Sequence, residues 1–189
     1  MILQKPHATT RLASASLADA SRELAATIAR HLPVNGEHSP HPSIHLGRTS
    51  KPTRPMHVLY EPAFVVVAQG KKLVTLGREE LAYDETSYFL SSVALPITGR
   101  VAKASPAAPY LSVMIPLTPA LIGPVLANAA LPGSERGQGA AAKGVDVRAL
   151  DLPLLDAVLR LVRLIDTPEH APVLAPLVLH EIVYRLLVG

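Results

Sequence analysis

From Ala63 to Ser92 the apolar and polar positions fall into short runs, each closed by a turn signal. Residues 63–69, AFVVVAQ, are apolar on both faces and stop at Gly70. Lys71 to Leu76 resumes the pattern and stops at Gly77-Arg78; Glu79 to Tyr83 follows, then Asp84-Glu85, then Thr86 to Ser92. Such runs predict antiparallel strands, because parallel strands need a helical crossover between them and no helical period occurs between Ala63 and Leu95. Ser43 to Ser50 predicts an entering strand, reached from the central block across the extended Pro52 and Pro55. Ile97 to Ala102 and Tyr110 to Leu117 predict two more, joined by the loop KASPAAP. Seven or eight strands are what a small antiparallel barrel or jelly roll requires. The expected fold class is therefore mainly β with flanking helices, a cupin-like barrel followed by a helix hairpin.

Helical periods bracket the strands. Leu17, Ala20, Leu24, Ile28 and His31 or Leu32 recur at helical spacing from Ser16 onward, Asp19 suits the positive end of the helix dipole, and Leu32-Pro33 with Asn35-Gly36 ends the segment. Gly36 to Pro42 has loop composition. Thr118-Pro119 signals a helix start, with an end expected near Ala130, and the small polar stretch 133–144, GSERGQGAAAKG, is expected to be a linker. From Leu152 to Ile165 only Asp156, Arg160 and Arg163 interrupt the apolar circumference, whereas a helix packed on one side needs an apolar stripe about 100° wide. Val173 to Leu187 is similar, with Pro176 starting or kinking it and Glu181 paired to Arg185 one turn on. The excess apolar surface predicts a two-fold homodimer seam of Leu154, Val158, Leu161, Ile165, Leu179, Ile182 and Leu186, with Leu161 facing outward. A missing domain as the partner, and core filling within one chain, are the alternatives. The expected organisation is a tail over 1–15, a helix, barrel and following helix over 16–130, a linker over 131–145 and the hairpin over 146–189.

Composition narrows the function. The chain has 189 residues, 49% of them hydrophobic, which suits one well-filled domain. It has no cysteine, so disulfides, thiolate zinc sites and thiol redox chemistry are excluded. No uninterrupted apolar run approaches the roughly 20 residues of a membrane span, and Met1 to Leu12 lacks the order of a secretion signal, so a cytoplasmic location with no membrane partner is expected. The net charge is +3. Residues 1–60 hold seven Lys and Arg against three Asp and Glu, scattered and without a motif that would set them in a groove, so no nucleic-acid contact is expected from this chain itself.

Catalytic and metal motifs are missing. His38, His41, His45 and His57 include no H-x-H pair, and His180-Glu181 lacks the second histidine of H-E-x-x-H because Tyr184 stands there. Lys143 precedes Gly144 with no Ser or Thr after it, which rules out a phosphate loop. Glu61 and Asp84 sit beside turn residues. Neither a catalytic residue, a cofactor nor a metal is expected. A barrel mouth is a common small-molecule site, and the polar side chains expected to reach an enclosed ligand are Tyr60, Gln69, Tyr83 and Tyr88, among walls such as Val65, Val67 and Phe89.

Leu59-Tyr60-Glu61-Pro62, Gln69-Gly70-Lys71, Leu76-Gly77, Tyr83-Asp84, Tyr88-Phe89-Leu90, Leu95-Pro96 and Ala108-Pro109-Tyr110-Leu111 occur here in that order. With Leu155 to Pro168 and Leu174 to Leu187, this series resembles the amino-terminal sensor domain of AraC-type transcription regulators over most of residues 43–189. Ala94, where an acidic residue is usual, and His180, where Arg is usual, depart from the pattern. The resemblance implies an effector-binding and dimerising half that controls a helix-turn-helix region. That region would shortly follow Gly189, which implies a truncated chain or a regulatory fragment that touches DNA only through the missing part. A cupin-type enzyme and a ligand-free dimerisation module are the rival readings.

Overall fold

The computed structural model describes residues 16–128 and 144–189. The expected tail, the expected helix end near Ala130 and all but the last two residues of the expected linker lie outside the described residues.

Ten strands are present among the described residues, all paired antiparallel. They are β1 (Gly36–His41), β2 (Ile44–Thr49), β3 (Met56–Tyr60), β4 (Ala63–Gln69), β5 (Lys71–Leu76), β6 (Glu79–Asp84), β7 (Ser87–Ser91), β8 (Leu95–Lys103), β9 (Tyr110–Pro116) and β10 (Val145–Ala149). One sheet runs β1-β2-β9-β4-β7-β10 and the other β3-β8-β5-β6. Alternation explains the layering: Val65, Val67 and Phe89 turn into the space between the sheets, whereas Phe64, Val66 and Tyr88 turn toward the helices.

β1, β3 and β10 were not expected. β1, GEHSPH, has the Gly and Pro of a loop, yet it is an edge strand with a register irregularity between His38 and His41, where Pro40 is tolerated. β3 is a five-residue edge strand, short enough to escape a pattern search. β10, VDVRA, pairs along its whole length with β7 where the end of a linker and the start of a helix hairpin were expected.

Gly70 carries the chain from one sheet to the other at φ +93, a conformation that L side chains rarely adopt. A Cβ there would lie 2.6 Å from the Lys103 carbonyl oxygen and 3.1 Å from Tyr110 Cα. Gly70→Ala is therefore expected to destabilise the fold by about 2 kcal/mol or more. Thermal unfolding checks this, and an unchanged midpoint would refute it.

The helices cover the outer face of the six-stranded sheet. α1 (Leu17–His31) begins in a capping box, Asp19 N donating to Ser16 Oγ at 3.1 Å and Ser16 N to the Asp19 carboxylate at 3.2 Å. It lays Leu24 and Ile28 on β4, β9 and α3 (Leu152–Arg163). α2 (Pro119–Asn128) packs on α4 (Ala171–Val188). α3 is capped by Asp151, whose carboxylate accepts from Leu154 N at 2.8 Å, and a short 3-10 turn (Leu164–Asp166) extends it.

Charged groups tie the helices across their ends. Asp166 takes Arg30 at 2.6 Å and His31 at 2.8 Å, Arg163 binds Glu23, and Glu181 joins Arg160 at 2.6 Å to Arg185 at 2.8 Å. The Arg160 hydrogen bond, with Arg185 adding to it, outweighs partial burial and holds the Glu181 carboxyl below its ordinary value.

The predicted dimer seam needs correction. Leu154, Val158, Leu161, Leu179, Ile182 and Leu186 are buried inside this chain, and Ile165 is half-buried. The reason is α1: it covers α3 on the side away from α4, so the apolar circumference of α3 is consumed by its own chain. α4 is different. Its inner stripe is Ala171, Ala175, Leu179, Ile182, Val183 and Leu186, while Val173, Leu177, Tyr184 and Leu187 are 68, 63, 46 and 39% exposed on the opposite side. Its 18 residues have a mean hydropathy of 1.6, long and apolar enough to cross a membrane by length and composition alone; here one stripe is part of the core.

Candidate functional site

Where β1 and β2 of the larger sheet face β3 of the smaller, a cavity of about 240 Å³ opens between the sheets. Small residues keep it open: Gly36, Gly47 and Gly99 send no side chain into it, and a Cβ at Gly47 would stand only 2.9 Å from Ser112 Oγ. Met56, Val58, Ile97 and Val101 supply apolar walls.

Lys72 enters from β5, opposite Tyr83 on one neighbouring strand and Val101 on the other. Its stem crosses Gly99, where an added Cβ would be 3.6 Å from Lys72 Cε. The ammonium donates to the Tyr60 hydroxyl at 3.4 Å and sits 5.4 Å from the centre of the Tyr60 ring, within cation–π range. Tyr60 in turn meets Phe89 edge-on at 5.4 Å, and Phe89 stacks on Tyr83 at 5.2 Å, so an aromatic cluster backs the charge.

The electrostatics follow from this enclosure. Burial pulls the Lys72 ammonium down, but Tyr110, Tyr60 and the Glu37 carboxylate outweigh it and the net displacement is upward, so the side chain is a cation at neutral pH. Burial drives Tyr83 well above the ordinary phenol value and raises Tyr110 as well, so both are neutral hydroxyls there.

Among the described residues, the buried side-chain polar atoms without a hydrogen-bond partner are Arg48 Nε, Tyr83 Oη and Tyr110 Oη. Arg48 and Tyr110 line the cavity and Tyr83 stands beside Lys72. Tyr60 is near enough to Tyr83, and Ser112 to Tyr110, to perturb them, yet neither stands in bonding geometry. Leaving such a group unpaired costs about 1–3 kcal/mol, so two on the cavity wall and a third behind it mark a site that lacks a partner. Larger hollows lie elsewhere among the described residues: a 780 Å³ trough beside α1, a 530 Å³ groove where β1 and β2 meet the start of α4, a 350 Å³ hollow between α2 and α4 and a 280 Å³ one beside β3 and β8. The two largest are lined mainly by alanines, prolines and aliphatic side chains, and none of the four holds Lys72 or Tyr110.

The sequence-predicted ligand residues divide. Tyr60 lines the cavity and Tyr83 lies behind it in the core between the sheets. Tyr88 does not reach it, because it neighbours the inward Phe89 and so points to the helices, where it meets Phe64 edge-on at 5.3 Å. Gln69 is also outside. Strict alternation from Val65 and Val67 would aim it inward, but a register irregularity between Val67 and Gln69 turns it toward the trough beside α1, with its amide donating to the Pro109 carbonyl at 2.8 Å. Lys72, Arg48 and Tyr110 are not among the ligand residues the sequence predicts. The signal for Lys72 was its phase with Val74: in KKLVTL the second lysine, not the first, shares the buried face.

The remaining polar candidates are engaged separately. His45 Nδ1 pairs with Ser39 at 2.6 Å, His57 with Thr98 at 2.9 Å, and His41 accepts from Ser43 N at 3.1 Å. Among the described residues no three His, Asp or Glu side chains are grouped to hold a metal. Asp84 accepts from Thr86 Oγ1 at 2.8 Å within its turn and pairs with Lys71 at 3.7 Å.

Comparison with known proteins agrees with this architecture. An apo ToxT variant from Vibrio cholerae superposes with a TM-score of 0.56 at 8% identity, over 75% of this chain and 54% of that one. Unsaturated fatty acid bound wild-type ToxT from the same organism gives 0.48 at 7% identity, over 78% of this chain and 55% of that one; the AraC-like transcriptional activator CuxR gives 0.43 at 11%, over 80% and 52%. The chain thus spans about half the length of the structures it matches. No curated protein matches it. The family model for the AraC-type transcriptional regulator N-terminus matches residues 40–189, most of the chain and nearly all of both sheets, and the chain belongs to that family.

Proposed function

We propose that this chain is the effector-binding, self-associating half of an AraC-type transcription regulator that works in the cytoplasm. It binds a small molecule between its sheets and controls DNA binding by a helix-turn-helix region that the described fold does not contain. The observation that carries the reading is the cavity with a lysine and unpaired buried polar groups around it. A partner-free core would have no reason to keep them. The catalytic alternative has less support, since the acidic side chains considered for it lie in turns and ion pairs.

Self-association goes to the outer face of α4. Val173, Leu177, His180, Tyr184 and Leu187 follow one another at intervals of four and three residues, the spacing of a helix–helix seam, and none is acidic. The seam is centred on His180, so a second copy running antiparallel about a two-fold axis presents the same residues back to it.

Ligand binding is tested by blocking the cavity. Gly99 has no positive φ and no close backbone neighbour, so Gly99→Leu fills the space while the fold persists. In a thermal-shift screen of small metabolites, pocket ligands are expected to raise the melting temperature of the wild type, by about 2.7 kcal/mol of stabilisation at a hundredfold excess over Kd, and to leave Gly99→Leu unmoved. A library that never separates the two proteins would overturn the effector reading in favour of a ligand-free dimerisation module.

A further inference from the structure

The unpaired groups lining the cavity and behind it have one chemistry in common. Arg48 Nε can only donate, the Tyr83 and Tyr110 hydroxyls are neutral and have protons to give, and the Lys72 ammonium uses one of its three hydrogens on a 3.4 Å contact to Tyr60. An occupant that satisfies them must accept hydrogen bonds. Of the three cations lining the cavity, Lys72 is the one tied to neither a carbonyl nor a carboxylate within bonding distance. The Arg48 guanidinium is anchored through Nη1 to the Leu32 carbonyl at 3.1 Å, and Arg100 pairs with Glu80 at 3.7 Å. Glu37, on the rim, opposes a second negative charge.

We infer that the occupant is a small monocarboxylate with an apolar body, its carboxylate paired with Lys72 and hydrogen-bonded by the Tyr60 and Tyr110 hydroxyls that line the cavity. This rests on the reading of the cavity as the effector site and specifies the class of effector. The volume limits the body: 240 Å³ corresponds to about eight water molecules at about 30 Å³ each, which suits a short aliphatic or single-ring acid. Met56, Val58, Ile97 and Val101 give that body its apolar walls. Lys72 acts as a fixed charge here. Protonated at neutral pH, it has no lone pair with which to attack a carbonyl.

Benzoate and hexanoate, each set against its own primary amide, form the test, because the amides keep the shape and lose the charge. Calorimetric titration of the chain is expected to show both acids binding at least about tenfold more tightly than benzamide and hexanamide. Lys72→Met is expected to erase that preference by weakening the acids while leaving the amides unchanged, and Tyr60→Phe to reduce it in part. Amides that bind as well as the acids, with Lys72→Met indifferent to both, would overturn the carboxylate assignment and leave the cavity as an effector site. Acids and amides that both fail at millimolar concentration would also overturn it, and the Gly99→Leu screen then decides whether the effector reading falls too. The wild-type acid–amide comparison stands without any variant, so it holds even if Lys72→Met does not fold.

Discussion

Leu161→Asp is expected to abolish the folded state. Leu161 is fully buried in the cluster that α1, α3, α4 and the outer sheet face build together. Removing its side chain alone, as in Leu161→Ala, costs about 2–5 kcal/mol. The aspartate adds an ionised carboxylate to a cluster of buried apolar side chains, and the total, on the order of 5 kcal/mol or more, matches the whole stability of many domains. Circular dichroism should show loss of cooperative unfolding. A variant that stays folded and merely dissociates would mean that Leu161 faces another molecule, and the packing of α1 over α3 would be wrong.

Leu177→Asp should do the opposite. Leu177 is 63% exposed, so the substitution leaves chain stability within about 0.5 kcal/mol. Its effect falls on association. Four apolar side chains from each copy, partly buried against one another, give on the order of 10 kcal/mol before the cost of association is subtracted, which corresponds to a micromolar dimer or a weaker one. Sedimentation at tens of micromolar is expected to show wild-type dimer and Leu177→Asp monomer with unchanged melting. A wild type that is already monomeric there would remove α4 as a self-association face.

The contrast between those two leucines marks where the sequence stops being informative. Period and turn signals located seven strands and all four helices within a few residues, because each depends on local chemistry: Gly70 and Gly77 at turns, Asp19 at a helix start, the two-residue alternation of a strand. Edge strands with weak patterns, β1 and β3, and β10 beside the expected linker, escaped because pairing with a distant strand holds them and no local propensity does. The apolar surplus on α3 was visible, but its owner was not. That α1 would claim it depends on a contact between residues well over a hundred positions apart. The site was legible in part for a similar reason. Tyr60 and Tyr83 were found by residue type, Gln69 was lost to an irregularity in register that no alternation rule contains, and Lys72 was hidden by a lysine beside it that does face solvent.

The place of α1 also separates two units that are easily equated. Similarity to the family begins at residue 40, after the helix and within β1. The folding unit begins earlier, since Leu24 and Ile28 are completely buried and Glu23, Arg30 and His31 grip the far end of α3. A fragment cut at the homology boundary would present the bare flank of α3 to water, a continuous greasy strip with nothing to cover it. For this protein, the ancestry-defined segment is smaller than the packed core it contributes to.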